Sequence, residues 1–252
     1  MKKIRLLKMG HKSAFDNMSI DESILLHSQK NNQSTLRFYG WKPTAISIGY
    51  FQNPLEEIDI DSCKNQNIDL IRRVTGGGAV FHDQEVTYSL ISPIENKFIP
   101  LDIKESYYKI SQGIIKGLEV FGIQAKFVPL NDIIANNKKI SGNAQTRKKG
   151  ILLQHGTILL DVDVDKMFTI LKVPQEKLKD KIIKNVKERV TGINKLTGKE
   201  VSFDEAQTAL IKGFEKALNL NYTIGSLTPS EIKLALELKK KKYTTHQWNY
   251  KR

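Results

Sequence analysis

The densest run of residues able to do chemistry is "RRVTGGGAVFHDQEVTYSL", Arg72 to Leu90. Two arginines precede a glycine triplet, Gly76, Gly77 and Gly78, and His82 and Asp83 follow it. Glycines let a backbone enter positive-φ regions and admit a ligand close to its amides. Successive amides can form a concave nest for an anion, and arginine offers a planar fork for phosphate or carboxylate. Neighbours on a strand face opposite ways, so one of Arg72 and Arg73 is expected to reach such a site. Two standard phosphate loops fail here. No Lys-Ser or Lys-Thr follows the glycines, and Phe81 stands where a dinucleotide fingerprint counted from Gly76 needs glycine. Taken alone, the triplet reads as a hairpin turn with surface arginines.

A second cluster lies downstream. "NDIIANNKKISGNAQ" carries Asn131, Asp132, Lys138 and Lys139, and "LLQHGTILLD" places His155 between apolar runs. Each has a bland reading: a turn, a solvated lysine pair, a satisfied core histidine. In this order they also supply a glycine nest, a basic side chain for a phosphate and a carboxylate able to hold Mg²⁺.

The elements that must position these residues follow from periodicity. "MSIDESILLHSQ" reads as a first helix, with Ser19 as N-cap and Glu22 three residues on. "STLRFYGW", "TAISIGYF", "DLIRRV", "AVFH" and "VTYSLIS" read as strands. In "DIKESYYKISQGIIKGLEVFG", Ile103, Tyr107, Ile110, Ile114, Leu118 and Phe121 form one apolar stripe, ended by Gly122. "KKISGNAQTR" and "GILLQHGTILLDVD" read as a strand pair. "VDKMFTILKV", "PQEKLKDKIIKNV", "SFDEAQTALIKGFEKAL" and "PSEIKLALELKKKK" read as helical. The expectation is α+β with a mixed or antiparallel sheet and a helix-rich segment over 163–252.

Composition sets wider limits. A chain of 252 residues, 40% hydrophobic, can bury a real core as one large domain or as one domain plus a small appendage. A net charge of +13 favours an anionic partner without naming it. Arginine-rich and aromatic-interleaved RNA-binding signatures are missing, and the lysines are spread along the chain. Cys63 is the one cysteine, so neither an internal disulfide framework nor a thiolate metal cluster is possible. The start lacks a secretory apolar region, and no run approaches the roughly 18 apolar residues of a spanning helix. The expected location is cytoplasmic.

In order and spacing, "RRVTGGGAVFHD", "NDI", "KKISGNAQ" and "HGTILLDVD" resemble the lipoate–protein ligases of the biotin/lipoate ligase superfamily. "LRFYGWKPTAISIGYFQ", "ERVTGI" and "KKKKYTTHQWN" match further landmarks, so the resemblance covers nearly the whole chain. It implies a large mixed sheet flanked by helices. It also implies that ATP, with Mg²⁺, activates lipoate to lipoyl-AMP. The lipoyl group then passes to a lysine of an apo lipoyl domain or glycine-cleavage H protein. By the same resemblance, Lys139 of the K-[IV]-x-G motif contacts the carboxyl and α-phosphate and stabilises charge during attack. Arg72, accompanied by Arg73, reaches the acyl-phosphate region. Gly76, Gly77 and Gly78 line the intermediate, Ala79 and Val80 meet adenine, and His82 closes the loop. Asn131 and Asp132 handle phosphates, with Asp132 toward the metal, and His155 joins the binding set. Tyr39, Ile46 and Gly49 are further candidates for the lipoyl tunnel. Neither His82 nor His155 is assigned as the base that deprotonates the acceptor lysine.

Many bacterial members carry a further C-terminal domain beyond the "KY-x-T-x-x-WN" landmark. This sequence stops near that landmark, which resembles the archaeal arrangement with a separate small accessory subunit. The expectation is therefore one catalytic domain over 1–252 and such a partner. The alternative on the same fold is an octanoyltransferase, which takes octanoyl from acyl carrier protein through a cysteine thioester and uses no ATP. In the variety most like a ligase that thiol precedes the lysine motif, where this chain reads "PLNDIIANNKK". Biotin ligases place arginines between the loop glycines, which "TGGGAVFHD" lacks. A non-catalytic basic RNA-binding protein on the same scaffold is the remaining reading.

Overall fold

A computed structural model describes residues 2–172 and 179–251. The strands are β1 (Lys2–Lys12), β2 (Thr35–Trp41), β3 (Ala45–Ile48), β4 (Asp69–Arg72), β5 (Val80–His82), β6 (Glu85–Pro93), β7 (Ala125–Val128), β8 (Asp132–Ala135), β9 (Lys138–Lys148), β10 (Ile151–Leu159) and β11 (Leu220–Ile224). The helices are α1 (Ala14–Asn31), α2 (Pro54–Glu57), α3 (Ile60–Asn65), α4 (Ile103–Leu118), α5 (Val164–Phe168), α6 (Lys179–Arg189), α7 (Ile193–Thr197), α8 (Phe203–Leu218), α9 (Pro229–Leu238) and α10 (His246–Asn249).

One eight-stranded sheet runs β11-β1-β2-β6-β10-β9-β8-β7, and a three-stranded sheet runs β4-β3-β5. The large sheet is mixed, because β1 is parallel to both β11 and β2 while the other pairs are antiparallel. The α+β expectation is met. Side chains alternate across a strand, and directly paired residues share a face. On one face Phe38 pairs with Tyr88, and Leu36 with Leu90. Those residues join Ile110, Ile114 and Leu118 of α4 and Leu210 and Phe214 of α8 in the largest core cluster. The opposite face carries the polar partners that build the site.

Several local expectations change. The first helix starts earlier, at Ala14, because the Ser13 side chain accepts from the Asp16 amide. Ser19 therefore lies inside the helix, buried, donating to the Asp16 carbonyl. Among the described residues of "VDKMFTILKV", Val164–Phe168 is helical and residues 169–172 are not. "PQEKL" lies outside the described residues, and the described part of α6 is Lys179–Arg189. Strands β1, β7 and β8 had no counterpart in the sequence patterns. Strand β11 interrupts the helix-rich segment and pairs with β1. Among the described residues no helix is long and apolar enough to cross a membrane.

Candidate functional site

The polar face is laid out by register. Tyr39 pairs with Thr87, Thr87 with Thr157, Thr157 with Gly142 and Gly142 with Asp132. This single row crosses β2, β6, β10, β9 and β8, about 19 Å at the usual strand spacing. The next row on the same face is Arg37, Ser89, His155 and Ala144. Helix α1 covers this row, and the small sheet and the glycine loop contribute the remaining walls. Between them lies a cavity of about 180 Å³. Tyr39, Trp41, Met18 and Thr87 line it toward β2; Asn131, Lys139 and Gly142 line it toward β8.

At the β8 end, the Lys139 ammonium lies 2.7 Å from the Asp132 carboxylate, both groups partly open to water. Gly142 makes room for it: a Cβ there would stand 2.9 Å from Lys139 Cε. Asn131 and Asn143 are locked together. Each side-chain amide donates to the other's carbonyl, at 2.6 and 2.9 Å.

The glycine loop is held from beneath. Arg73 donates to the carbonyls of Gly76 and Gly78 at 2.9 and 2.7 Å, and to Ser47 Oγ at 3.1 Å. Burial lowers its pKa to about 10, so it stays charged at neutral pH. Ser47 Oγ meets His82 Nε2 at 2.8 Å, and His82 Nδ1 meets Glu85 at 2.8 Å. The Trp41 ring stacks on His82 at 3.9 Å and closes that side. Gly77 has φ +99°, a conformation open to glycine. Its carbonyl rests on Gly49, where a Cβ would stand 2.0 Å from that oxygen.

A buried network braces the floor. Arg37 and Asp21 pair at 2.6 Å, and Tyr39 and Ser89 also donate to Asp21, at 3.0 and 2.7 Å. Burial opposes the Asp21 carboxylate, but the Arg37 charge foremost, with the Ser89 bond, helps outweigh it and keep its pKa below the ordinary value. His155 Nε2 bonds Thr75 Oγ1 at 2.7 Å, tying β10 to the loop. Burial lowers the His155 pKa despite the nearby Asp21 carboxylate, so the ring is neutral at neutral pH.

Of the residues singled out in sequence, Tyr39, Gly77, Gly78, Ala79, Val80, His82, Asn131, Lys139 and His155 line one cavity. Asp132 joins through Lys139. Arg72 departs from expectation. It points away from the cavity and donates to the carbonyls of Gly49, Tyr50, Gln52, Trp248, Asn249 and Lys251. Alternation puts Arg73, its neighbour, on the cavity side. Ile46 faces a different core, with Ile48, Phe81 and Cys63, because Ser47 takes the inward position. Gly49 seats the loop instead of lining a tunnel, and Gly76 faces a neighbouring groove. Met18, Trp41, Thr87 and Thr157 were missed. Tyr39 and Trp41, Thr87 and Ser89, and His155 and Thr157 recur at every second position, but Phe38, Tyr88 and Gln154 beside them are also aromatic or polar, so alternation alone did not mark the face.

A family model described as the lipoyl protein ligase A/B catalytic domain matches residues 13–215. The octanoyltransferase LipM of Anoxybacillus flavithermus is 38% identical over 272 aligned positions, covering 98% of each chain. LipM of Bacillus subtilis is 37% identical with the same coverage. Among solved structures, a bipartite lipoate protein ligase from Thermoplasma acidophilum, described with its E2 lipoyl domain, superposes with TM-score 0.91 at 35% identity. That match covers 99% of this chain and 97% of the other. A lipoate-protein ligase A bound with ATP superposes with TM-score 0.85 at 32% identity, covering 99% of each.

Proposed function

Because the chain belongs to the lipoyl protein ligase A/B catalytic domain family, we propose that it transfers an octanoyl-length acyl group to a lysine of an apo lipoyl domain or H protein. It does so by way of an acyl adenylate, within a single catalytic domain. The carrying observation is the content of the cavity: a lysine at one end, a glycine nest above, and no thiol among its lining residues. In the first step a carboxylate oxygen of the acid attacks the α-phosphorus of ATP, and pyrophosphate leaves. In the second, the acceptor amine attacks the acyl carbonyl, and AMP leaves with the bonding electrons. Lys139 supplies positive charge where charge develops at phosphorus. Gly77 and Gly78 offer backbone beside the acyl-phosphate, and the β2 end takes the apolar tail. From Tyr39 to Gly142 the row is about 14 Å, against roughly 10 Å for an extended octanoyl chain. The closed walls at Trp41 and His82 protect the adenylate from water.

No group of three or more acidic, histidine or cysteine side chains suited to a metal occurs among the described residues. One carboxylate still fits a nucleotide-bound Mg²⁺, which takes few protein ligands and completes its shell with phosphates and water. Asp132 would hold it, and the ion would neutralise phosphate charge.

The second reading is the octanoyltransferase alternative, transfer from a carrier-protein thioester, and the similarity to the LipM octanoyltransferases supports it. That route needs a thiolate at the acyl carbonyl. Here the one cysteine, Cys63, is buried in α3 against Ile46, Ile58 and Phe81, and burial raises its pKa to about 11. A thiol so placed is a poor nucleophile. The deciding experiment is mass spectrometry of an apo lipoyl domain incubated with the chain. A mass gain requiring ATP, Mg²⁺ and free lipoate or octanoate supports the adenylate route. A gain from octanoyl-acyl carrier protein without ATP replaces it with the transferase.

A further inference from the structure

The glycine loop is a partition. Gly77 and Gly78 line the acyl cavity, whereas Gly76 lines a separate groove of about 460 Å³. Strand β9 divides in the same way: Gly142 and Ala144 face the cavity, and Thr146 and Lys148 face the groove, whereas the Arg147 guanidinium lies on the other side of the strand, donating to the Leu101 and Pro100 carbonyls and to Ser106 Oγ. The groove is cationic. Its lining includes the ammonium groups of Lys148 and Lys242, and the one acidic residue there among the described residues, Glu22, is paired with Lys242 at 2.6 Å. Two ammonium groups are held on its aromatic wall. Lys242 and Lys251 lie 3.9 and 4.0 Å from the Trp248 ring, and Lys251 lies 3.6 Å from the Tyr50 ring. Phe51, 68% exposed, adds an apolar surface at the lining.

We propose that this groove docks the acceptor domain, through acidic side chains that flank its target lysine. The proposal rests on the acyl-transfer reading above. A cationic groove with aromatic walls fits an acidic protein surface by charge complementarity. Its position fits the chemistry, because a lysine side chain reaches about 6 Å from its Cα along a flexible stem. An acceptor seated at Thr146 and Lys148 can thus pass its amine by the glycine loop to the acyl carbonyl, while the acid and nucleotide occupy the other side.

Lys148 is exposed and suits a charge reversal. The probe is an apo lipoyl domain, with the acyl donor that proves active for the wild type. Lys148→Glu should raise the KM for the domain about tenfold, leave kcat within about twofold, and flatten the dependence of KM on NaCl. Lys148→Arg should restore the KM. Capture of the activated acyl group by hydroxylamine, which bypasses docking, should be unchanged in both variants. An unchanged KM in Lys148→Glu overturns the proposal, as does a parallel fall in hydroxylamine capture, which would place Lys148 in the acyl site. Tight binding of an RNA oligomer that is lost in Lys148→Glu, with the KM unchanged, would reassign the groove to nucleic acid. If the wild type forms neither acyl hydroxamate nor acylated domain from any donor, the acyl-transfer reading fails first and the docking proposal falls with it.

Discussion

Gly142→Ala probes the reacting end of the site with one methyl group. A Cβ at this position would stand 2.9 Å from Lys139 Cε and 3.0 Å from its Nζ. Non-bonded carbons settle at about 3.5–4.0 Å, so the lysine must retreat by roughly 0.5–1 Å. The backbone tolerates the change, since Gly142 lies outside the left-handed region and the atoms in the way are the flexible end of a side chain. Replacing glycine where conformation allows also removes freedom from the unfolded chain, by about 0.4–1 kcal/mol. The melting temperature should therefore stay level or rise. Activity should fall, because a misplacement of about 1 Å at a charge-stabilising group costs tenfold to a hundredfold, about 1.4–2.7 kcal/mol. The assay is the initial rate of mass gain on an apo lipoyl domain, with thermal unfolding in parallel. Lys139→Ala should lose at least as much, and adding Gly142→Ala to it should cost nothing further, since both act through one side chain. Full activity in Gly142→Ala, or an extra loss when Lys139 is already gone, would refute this account.

Three further outcomes are expected. Thr157→Phe places an aromatic ring in the middle of the row between Thr87 and Gly142, so octanoate should lose at least tenfold in kcat/KM relative to butanoate; equal losses for both acids would count against the trough. His155 has a depressed pKa when folded, so its contribution to stability is full above the ordinary value near 6.5 and is lost as pH falls below it, by at most about 1.4 kcal/mol per pH unit. That slope, followed by chemical denaturation, should flatten in His155→Gln. Cys63→Ser should keep its acyl-transfer rate within about twofold while losing about 1 kcal/mol or more of stability from a hydroxyl placed among apolar side chains; loss of transfer with the fold intact would favour the thioester route.

The small sheet, the central strands of the large one and much of the composition of the site were legible in the sequence, because they rest on local signals. The β9–β10 pair, α4 and α8 follow from runs of apolar residues at strand or helix period. Lys139, the glycines and His155 stand in motifs whose spacing is unusual. What was not legible is what long-range pairing decides. Strand β11 finds its partner in β1, about 200 residues away, and "LNYTI" carries too few residues to declare itself. The two arginines illustrate the same limit. Alternation said that one faces the site, but only the position of residues 248–251, which offer carbonyls to Arg72, decides which. Gly49 looked like a tunnel residue because its role, admitting the Gly77 carbonyl, lies in contact with a segment 28 positions on.

The six carbonyls around Arg72 have a consequence in time. Three belong to residues 248–251, and they bond an arginine that adjoins the loop-holding Arg73 in sequence. A ribosome makes these residues long after the glycine loop. Until they arrive, the Arg72 guanidinium lacks three of these six acceptors, and burying it would leave its charge incompletely satisfied. A nascent chain can assemble the sheet while this corner stays open. This corner beside the loop thus gains its final support only after residue 251 has been added.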